Sequence, residues 1–389
     1  MDSPQTAWGI DIGQCAVKAL KLRHGDGGVE VEACHIIEHS ARGLGAERDR
    51  TGCLPEALRR LPDVVGLSGC QVVASVPSPH SVSRFIHLPP VDRGAVGDLV
   101  RFEARQQIPY PLREAAWRWQ IFGDDDAPDR GEVDVALFAL RASEVQETLD
   151  LLSGANVGVG AIQMRPVALY NLMIADGQAP DDGATLLADL GAESIEFVIA
   201  EAGRLWTHTA EFGASRITDA LATALDIPFA EAEALQRAAA DRPDGEEVLQ
   251  GAEMAVNELV LEFRRCVDNY QAIGGVSKVQ RVVGVGRGLR VPGLREAIEC
   301  CLEIHVARLK EYNRIRVPPT PEAAAFRDDP GAFAVACGLA LQGLGQAAVN
   351  VDFMPSGTVA AGHGPGESAG SSWRGMANRL LRRLRGARP

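Results

Sequence analysis

Nowhere in the 389 residues do about 18 apolar side chains run together, the length that a helix needs to cross a bilayer. The opening stretch MDSPQTAWGIDIG has no basic patch leading into an apolar core, so neither export nor membrane spanning is expected. The eight cysteines, at positions 15, 34, 53, 70, 266, 300, 301 and 337, include no C-x-x-C pair, and the histidines show no ligand spacing. That pattern argues against a Cys/His metal centre and for reduced thiols in a cytosol. An excess of positive charge is missing as well. The formal charge is −13, which excludes nucleic acid as a partner held by bulk electrostatics. The one exception is the stretch SSWRGMANRLLRRLRGARP, residues 371–389, with six arginines and no acid.

What is present is a repeat. AWGIDIGQCAVKALKLRHGDGGVEVEACHII alternates apolar and polar residues on both sides of an Asp-x-Gly turn and turns again at Gly25 to Gly28, the pattern of three consecutive strands. About 178 residues later ATLLADLGAESIEFVIAEAGRLWTHTAEF repeats the plan around Asp189-Leu190-Gly191. Each triplet leads on to helix and strand patterns, so each half is predicted to be an α/β domain with a mixed sheet. Between them, a helix stopped by Pro109 and Pro111, a strand carrying Trp117 and Trp119, an acidic turn and a further strand form an inserted subdomain. The two tryptophans are expected to pack in its core or at a subdomain interface, not to serve as a stacking platform, and His35 and His39 are expected to be structural.

Two Asp-x-Gly hairpins, used together, have a chemistry. The carboxylates of Asp11 and Asp189 can hold a water-coordinated Mg²⁺ while glycine lets the hairpin amides approach phosphate oxygens. A third glycine turn, VVGVGRGLRVPGL with Gly284, Gly286 and Gly288 before a helix, suits a nucleoside. A dinucleotide fingerprint fits it poorly, since the spacing is G-x-G-x-G and the turn comes late in the chain.

This order of motifs resembles the superfamily of actin, the sugar kinases and the 70-kDa chaperones. The stretches SVPSPHSVSRFIHLPP, RFEARQQIPYPLREAAWRWQIF, AIQMRPVALYNL, FAEAEALQR, RVPGL and AFAVACGLALQGLG together resemble the PilM family of type IV pilus assembly, over about residues 7–355. EARQQIPYP is the most diagnostic of them. That family is in turn similar to the cell-division protein FtsA and to the cytoplasmic part of the secretion protein GspL. The resemblance implies an α/β fold of the actin-like (RNase H-like) type, duplicated into two lobes with an inserted PilM/FtsA-type 1C subdomain. The boundaries that go with it are 1–87 and 149–180 for the first lobe (1A), 88–148 for the insert, 181–215 and 273–349 for the second lobe (2A), and 216–272 for subdomain 2B. A peptide-like segment and linker follow at 350–372, and a basic amphipathic tail at 373–389.

The resemblance also implies ATP with Mg²⁺ between the lobes, in a cytoplasmic platform protein at the inner membrane that docks a short Asn-Leu-Leu-Pro peptide from a PilN-type inner-membrane partner. Carried over by motif, Asp11, Gly13, Gln14, Cys15 and Lys18 belong to the first phosphate loop and Asp189, Gly191 and Ala192 to the second. Gly213 belongs to a glycine pair after it, Glu233 and Gln236 to the ribose region, and Gly284 and Gly286 to the adenosine turn. Gln163 falls on the connecting strand, where relatives place a water-orienting residue, and is the candidate catalytic group. Departures concentrate at the nucleotide: Gln14 and Cys15 replace small hydroxyl residues, Glu193 replaces Ser or Thr, Gln236 replaces Lys, and Ala214 replaces the second glycine of the pair. Weak ATP binding with negligible turnover is therefore expected. The alternatives are a phosphotransferase of the sugar kinase branch and an FtsA-like membrane-associated filament, the latter implying self-association.

Two terminal features complete the reading. NVDFMP, residues 350–355, resembles the partner peptide, with Asn350, Phe353, Met354 and Pro355 in the matching places; it either docks on the chain's own groove or forms a last strand on the second lobe. In the tail, Trp373, Met376, Ala377, Leu380, Leu381 and Leu384 fall within an arc of roughly 140° at about 100° per residue, and Arg374, Arg379, Arg382, Arg383 and Arg385 occupy the rest. An interfacial helix on an anionic membrane surface is the expectation, and FtsA ends in a similar one.

Overall fold

Strands and helices follow the two triplets. The computed structural model describes residues 5–355 except 26, 40–49, 78, 123–129, 180–182, 202 and 273–276. The tail candidates Trp373, Met376, Arg379, Leu380, Leu381, Arg382, Arg383 and Leu384 lie outside the described residues, as does the acidic turn. Strands β1 (Thr6–Ile12), β2 (Ala16–Gly25) and β3 (Gly28–Glu38) form the first meander; helix α1 (Arg50–Val64) leads to β4 (Gln71–Val76). The chain then enters a separate sheet made of β5 (Val82–Asp92), β6 (Ala115–Phe122) and β7 (Arg130–Arg141), with α2 (Val96–Gln107) packed on it. Helix α3 (Ala142–Gly154) returns it to the first sheet at β8 (Ala161–Met164), and α4 (Arg165–Ala175) crosses to the second half. β8 is short, four residues, and the preceding Val157, Gly158, Val159 and Gly160 lie outside it.

The second half repeats the first. β9 (Ala184–Leu190), β10 (Ile195–Glu201) and β11 (Arg204–Ala210) form the meander, and α5 (Ser215–Leu225), α6 (Phe229–Ala239), α7 (Gly245–Val248) and α8 (Glu253–Ala272) form an all-helical excursion. The chain returns through β12 (Val279–Val285), α9 (Leu294–Leu302), β13 (Val306–Arg308), α10 (Ala324–Asp328) and α11 (Ala334–Gly343). Strand orders are β3-β2-β1-β4-β8 and β11-β10-β9-β12-β13, the same permutation twice, and β5-β7-β6 in the third sheet. In both large sheets the first strand pairs antiparallel with the second and parallel with the fourth.

Burial explains the composition of these elements. β9 and β10 are covered on both faces and are buried along their whole length, so they consist largely of apolar residues, whereas the edge strand β11 is mostly only partly buried and carries Arg204, Thr207, His208 and Thr209. α4 and α11 lie together between the sheets, α11 against β1 and β4 and α4 against β10. AVACGLALQG is accordingly apolar on every side and wholly buried. The close fit depends on Gly9 of β1, where an added Cβ would come within 1.9 Å of the Ala336 carbonyl oxygen. In α8 the buried Ala255, Leu259, Phe263, Cys266 and Tyr270 recur every three to four residues and face the second sheet's outer core. Trp117 and Trp119 pack in the core of the third sheet. Among the described residues no helix is long and apolar enough to cross a membrane.

Candidate functional site

Both central strands end in the same way. Asp11 and Asp189 stand near the ends of β1 and β9, and the glycine two residues on closes each hairpin: Gly13 N donates to Ala16 O and Gly191 N to Ser194 O, both at 3.0 Å. Cross-strand register sets Lys18 opposite Asp11 and Glu196 opposite Asp189. The two turns line one cleft of about 830 Å³, within the usual range for small-molecule sites. His39 supports the first turn: its backbone N donates to Cys15 O, and its Nε2 lies 3.1 Å from Gly13 O. Burial lowers the pKa of His39, which favours the neutral ring with its proton on that nitrogen.

Of the residues expected at the ligand, Gly13, Gln14, Cys15, Lys18, Asp189, Gly191, Ala192, Glu233, Gln236 and Gly286 line the cleft. Asp11 is 1% exposed and lies beneath Lys18 and Arg165. Gly213 is packed on the second turn, where a Cβ would come within 2.4 Å of Ala192 O, and Gly284 packs on Leu289. Gly286 has φ +82°, and a Cβ there would meet Asp189 Oδ1 at 2.4 Å, so only glycine brings this turn against the second aspartate. Gln236 accepts a hydrogen bond from the Thr218 hydroxyl and donates to Ala214 O, which fixes α6 to the start of α5.

Gln163 does not belong to the cleft. It is fully buried; its Nε2 donates to Gln342 Oε1 at 2.9 Å and to Val351 O at 2.8 Å, and its Oε1 accepts from Met164 N. The amide holds the chain's own C-terminal segment, outside the cleft lining where the resemblance led one to expect it.

The residue that sequence reasoning missed is Arg165. It opens α4, where a positive charge opposes the helix dipole, and two carboxylates compensate for that position. Nη1 donates to Asp11 Oδ1 and Nη2 to Asp189 Oδ2 at 2.9 Å, while Lys18 Nζ lies 3.5 Å from Asp11 Oδ2. Burial by itself would lower the Arg165 pKa; Asp11 and then Asp189 overturn that and raise it, so the guanidinium stays charged. A signal was there: Arg165 follows the last strand of the first sheet directly, where the ends of parallel strands converge on the ligand side of an α/β sheet.

A divalent cation does not fit between Asp11 and Asp189 in this arrangement. The guanidinium spans them, and a Mg²⁺ about 4 Å from it would meet a repulsion of roughly 8 kcal/mol at an effective dielectric near 20. Among the described residues, no cluster of three or more His, Cys, Asp or Glu is arranged to hold a metal.

The rest of the wall is charged and internally paired. Glu196 is buried and accepts from the Thr209 hydroxyl at 2.7 Å; burial pushes its carboxyl up to about 7 against the opposing pull of Arg165. At the mouth, Glu38 of β3 reaches Arg287 at 2.6 Å and Arg237 at 3.5 Å, a bridge from the first lobe to the second, and Arg287 holds its carboxyl below the ordinary range. Arg237 also pairs with Glu233 at 3.0 Å, and Arg290 with Asp241 at 2.9 Å.

A second surface lies where the first lobe meets the third sheet. Residues 348–354 run along β8 and reach β6. Phe353 N donates to Ile162 O at 3.0 Å, Ile162 N to Asp352 Oδ1 at 2.9 Å, Gln120 Nε2 to Ala348 O and Arg118 Nη2 to Met354 O at 2.9 Å. Val349, Val351 and Phe353 are buried, whereas Asn350 and Pro355 face solvent, so Asn350 is held through its backbone N by Gln120 Oε1. The segment thus lies against the first lobe and the third sheet and is no strand of the second lobe's sheet.

The chain thus pairs two five-stranded sheets of one permutation, with a third sheet inserted between β4 and β8. The profile described as type IV pilus assembly protein PilM matches residues 9–344. The chain belongs to the PilM family. Among solved structures, this PilM-family chain is similar to the PilM-PilN type IV pilus biogenesis complex, with 22% identity, a TM-score of 0.71, and coverage of 87% of this chain and 98% of that one. That likeness is one of fold. It is also similar, more distantly, to the ethanolamine utilization protein EutJ from Carboxydothermus hydrogenoformans (15% identity, TM-score 0.48, 87% and 90% coverage). A third match is the cytoplasmic domain of EpsL, an inner membrane component of the type II secretion system of Vibrio cholerae (10% identity, TM-score 0.40, 83% and 90% coverage). The actin-like duplicated α/β fold expected from the sequence is the one the chain adopts.

Proposed function

We propose that the chain is a cytoplasmic adaptor of a type IV pilus assembly platform, and that the junction of β8 and β6 is where it receives a PilN-type peptide. The observation that carries the docking reading is the segment already seated there. An extended stretch makes one backbone hydrogen bond to the edge strand β8, Phe353 N to Ile162 O, and a second through the Asp352 carboxylate, while alternate side chains, Val351 and Phe353, enter the core, which follows the logic of strand addition at a sheet edge. The segment NVDFMP stands in the place of the Asn-Leu-Leu-Pro peptide, so an incoming partner has to displace it. A fluorescent peptide containing Asn-Leu-Leu-Pro should bind the native chain weakly and a folded Phe353→Ala variant roughly tenfold more tightly or better, since the truncation weakens the resident segment. Equal affinity for both would sink the displacement.

In the cleft, Gly13, Gln14, Cys15, Lys18, Gly191, Ala192, Glu233, Gln236 and Gly286 would face a nucleotide. Binding of ATP there is weak, because Lys18, Arg165, Arg237, Arg287 and Arg290 already have carboxylate partners. A phosphotransferase needs a base beside the substrate hydroxyl; the connecting strand offers Gln163, whose amide is taken up by Val351 and Gln342. An adaptor needs no such group. The tail completes the reading as a contact with anionic lipid at the inner face of the membrane, through Trp373, Met376, Leu380, Leu381 and Leu384 with Arg379, Arg382 and Arg383. In sedimentation with anionic liposomes the intact chain should pellet, whereas a chain ending at Pro355 and the variant Leu380→Glu should stay in solution; identical behaviour of all three removes the membrane contact.

A further inference from the structure

We infer that Arg165 is a built-in cation: it takes the place between Asp11 and Asp189 that a divalent metal would need, and it excludes Mg²⁺ from this cleft. The inference deepens the reading of the cleft as the family's nucleotide site and rests on it. The guanidinium makes one hydrogen bond to each aspartate, so a single side chain satisfies carboxylates that belong to two different lobes. Lys18 supplies a second positive charge on the far oxygen of Asp11. Two carboxylates therefore face two fixed cations, and their charges cancel at the place where the divalent ion would have to bind. Glu196, the acid opposite Asp189 across the strand pair, is buried and accepts a hydrogen bond from the Thr209 hydroxyl at 2.7 Å, so that oxygen is already committed.

The arrangement also says what kind of anion could enter. A polyphosphate that reaches this cleft arrives without its metal and meets Arg165 and Lys18 as its countercharges, in competition with the two aspartates.

Mn²⁺ binding to the full chain, without nucleotide and followed by electron paramagnetic resonance, tests the inference. The native chain and Asp189→Asn should hold Mn²⁺ equally, through surface carboxylates alone. Arg165→Met should gain a site roughly tenfold tighter than any in the native chain, because both aspartates are released to share the ion, and Arg165→Lys should not. A Mn²⁺ site in the native chain that disappears in Asp189→Asn would falsify the inference, and so would a folded Arg165→Met variant that gains nothing. If Arg165→Met does not fold, the comparison of the native chain with Asp189→Asn still decides. None of these outcomes bears on peptide docking at β8, so the adaptor reading stands or falls separately.

Discussion

At the first turn Asp11 faces Lys18 across the strand pair; at the second, in the same register, Asp189 faces Glu196. The backbone of the two turns is shared down to the hydrogen bond that closes each hairpin. Their charges are opposite. The turn is therefore dictated by glycine and strand pairing, and the cross-strand partner is left free to vary. The first lobe balances its aspartate from within and the second does not. The missing positive charge comes from Arg165, which the chain places at the end of β8 in the other lobe.

That comparison breaks most visibly at the aspartates. Asp11→Ala leaves Lys18 and Arg165 partly buried with one anion fewer and should cost about 3–5 kcal/mol, read as a shift in the denaturant midpoint. Asp189→Ala should cost less, about 1–2 kcal/mol, because Arg165 keeps Asp11 and Glu196 is freed to ionise in its place. Equal losses would mean that the two turns are balanced alike and that Arg165 is no shared cation.

A smaller effect sharpens the comparison through pH. The folded pKa of Glu196 lies near 7, above its ordinary value of 4.5, so the stabilisation by its neutral form is complete below 4.5 and is lost as pH rises through 7. Glu196→Gln keeps the partner of Thr209 and removes that loss. Between pH 5 and 8 the variant should gain on the native chain by up to about 3 kcal/mol, a few degrees in Tm. The partly buried His35, His39 and His208 push the other way, since each has a folded pKa below 6.5 and gives stability that is lost as pH falls. They are common to both chains and cancel in the difference. A gap in Tm that does not change with pH would show that Glu196 is ionised throughout.

Much of this was legible from local pattern. Alternation around Asp11-Ile12-Gly13 and Asp189-Leu190-Gly191 specified both meanders, and Pro109 and Pro111 marked the end of α2, because strand pleat and helix breakers act within a few residues. The apolar run at 334–343 entered only through the family resemblance; that it forms a helix buried against β1, β4 and α4 is a matter of packing. Arg165 was not legible in the same way: its partners lie 154 and 24 residues away, and nothing in Gln-Met-Arg-Pro states which carboxylates will meet it. Gln163 makes the same point. Its position on the connecting strand was right, but the groups that claim its amide come from Gln342 and Val351, and only packing decides that.

The bonds of residues 348–354 to β8 and β6 also have a mechanical consequence. Arg118 on Met354, Ile162 on Phe353 and Asp352, and Gln120 on Asn350 and Ala348 are met one after another along the segment. A pull applied to the chain beyond Pro355 loads these bonds before any tension reaches α11, which packs between the sheets and against Gly9. The segment is thus a strain relief: whatever holds the end of the chain can tug, turn or release it while the spacing of the two lobes stays unchanged.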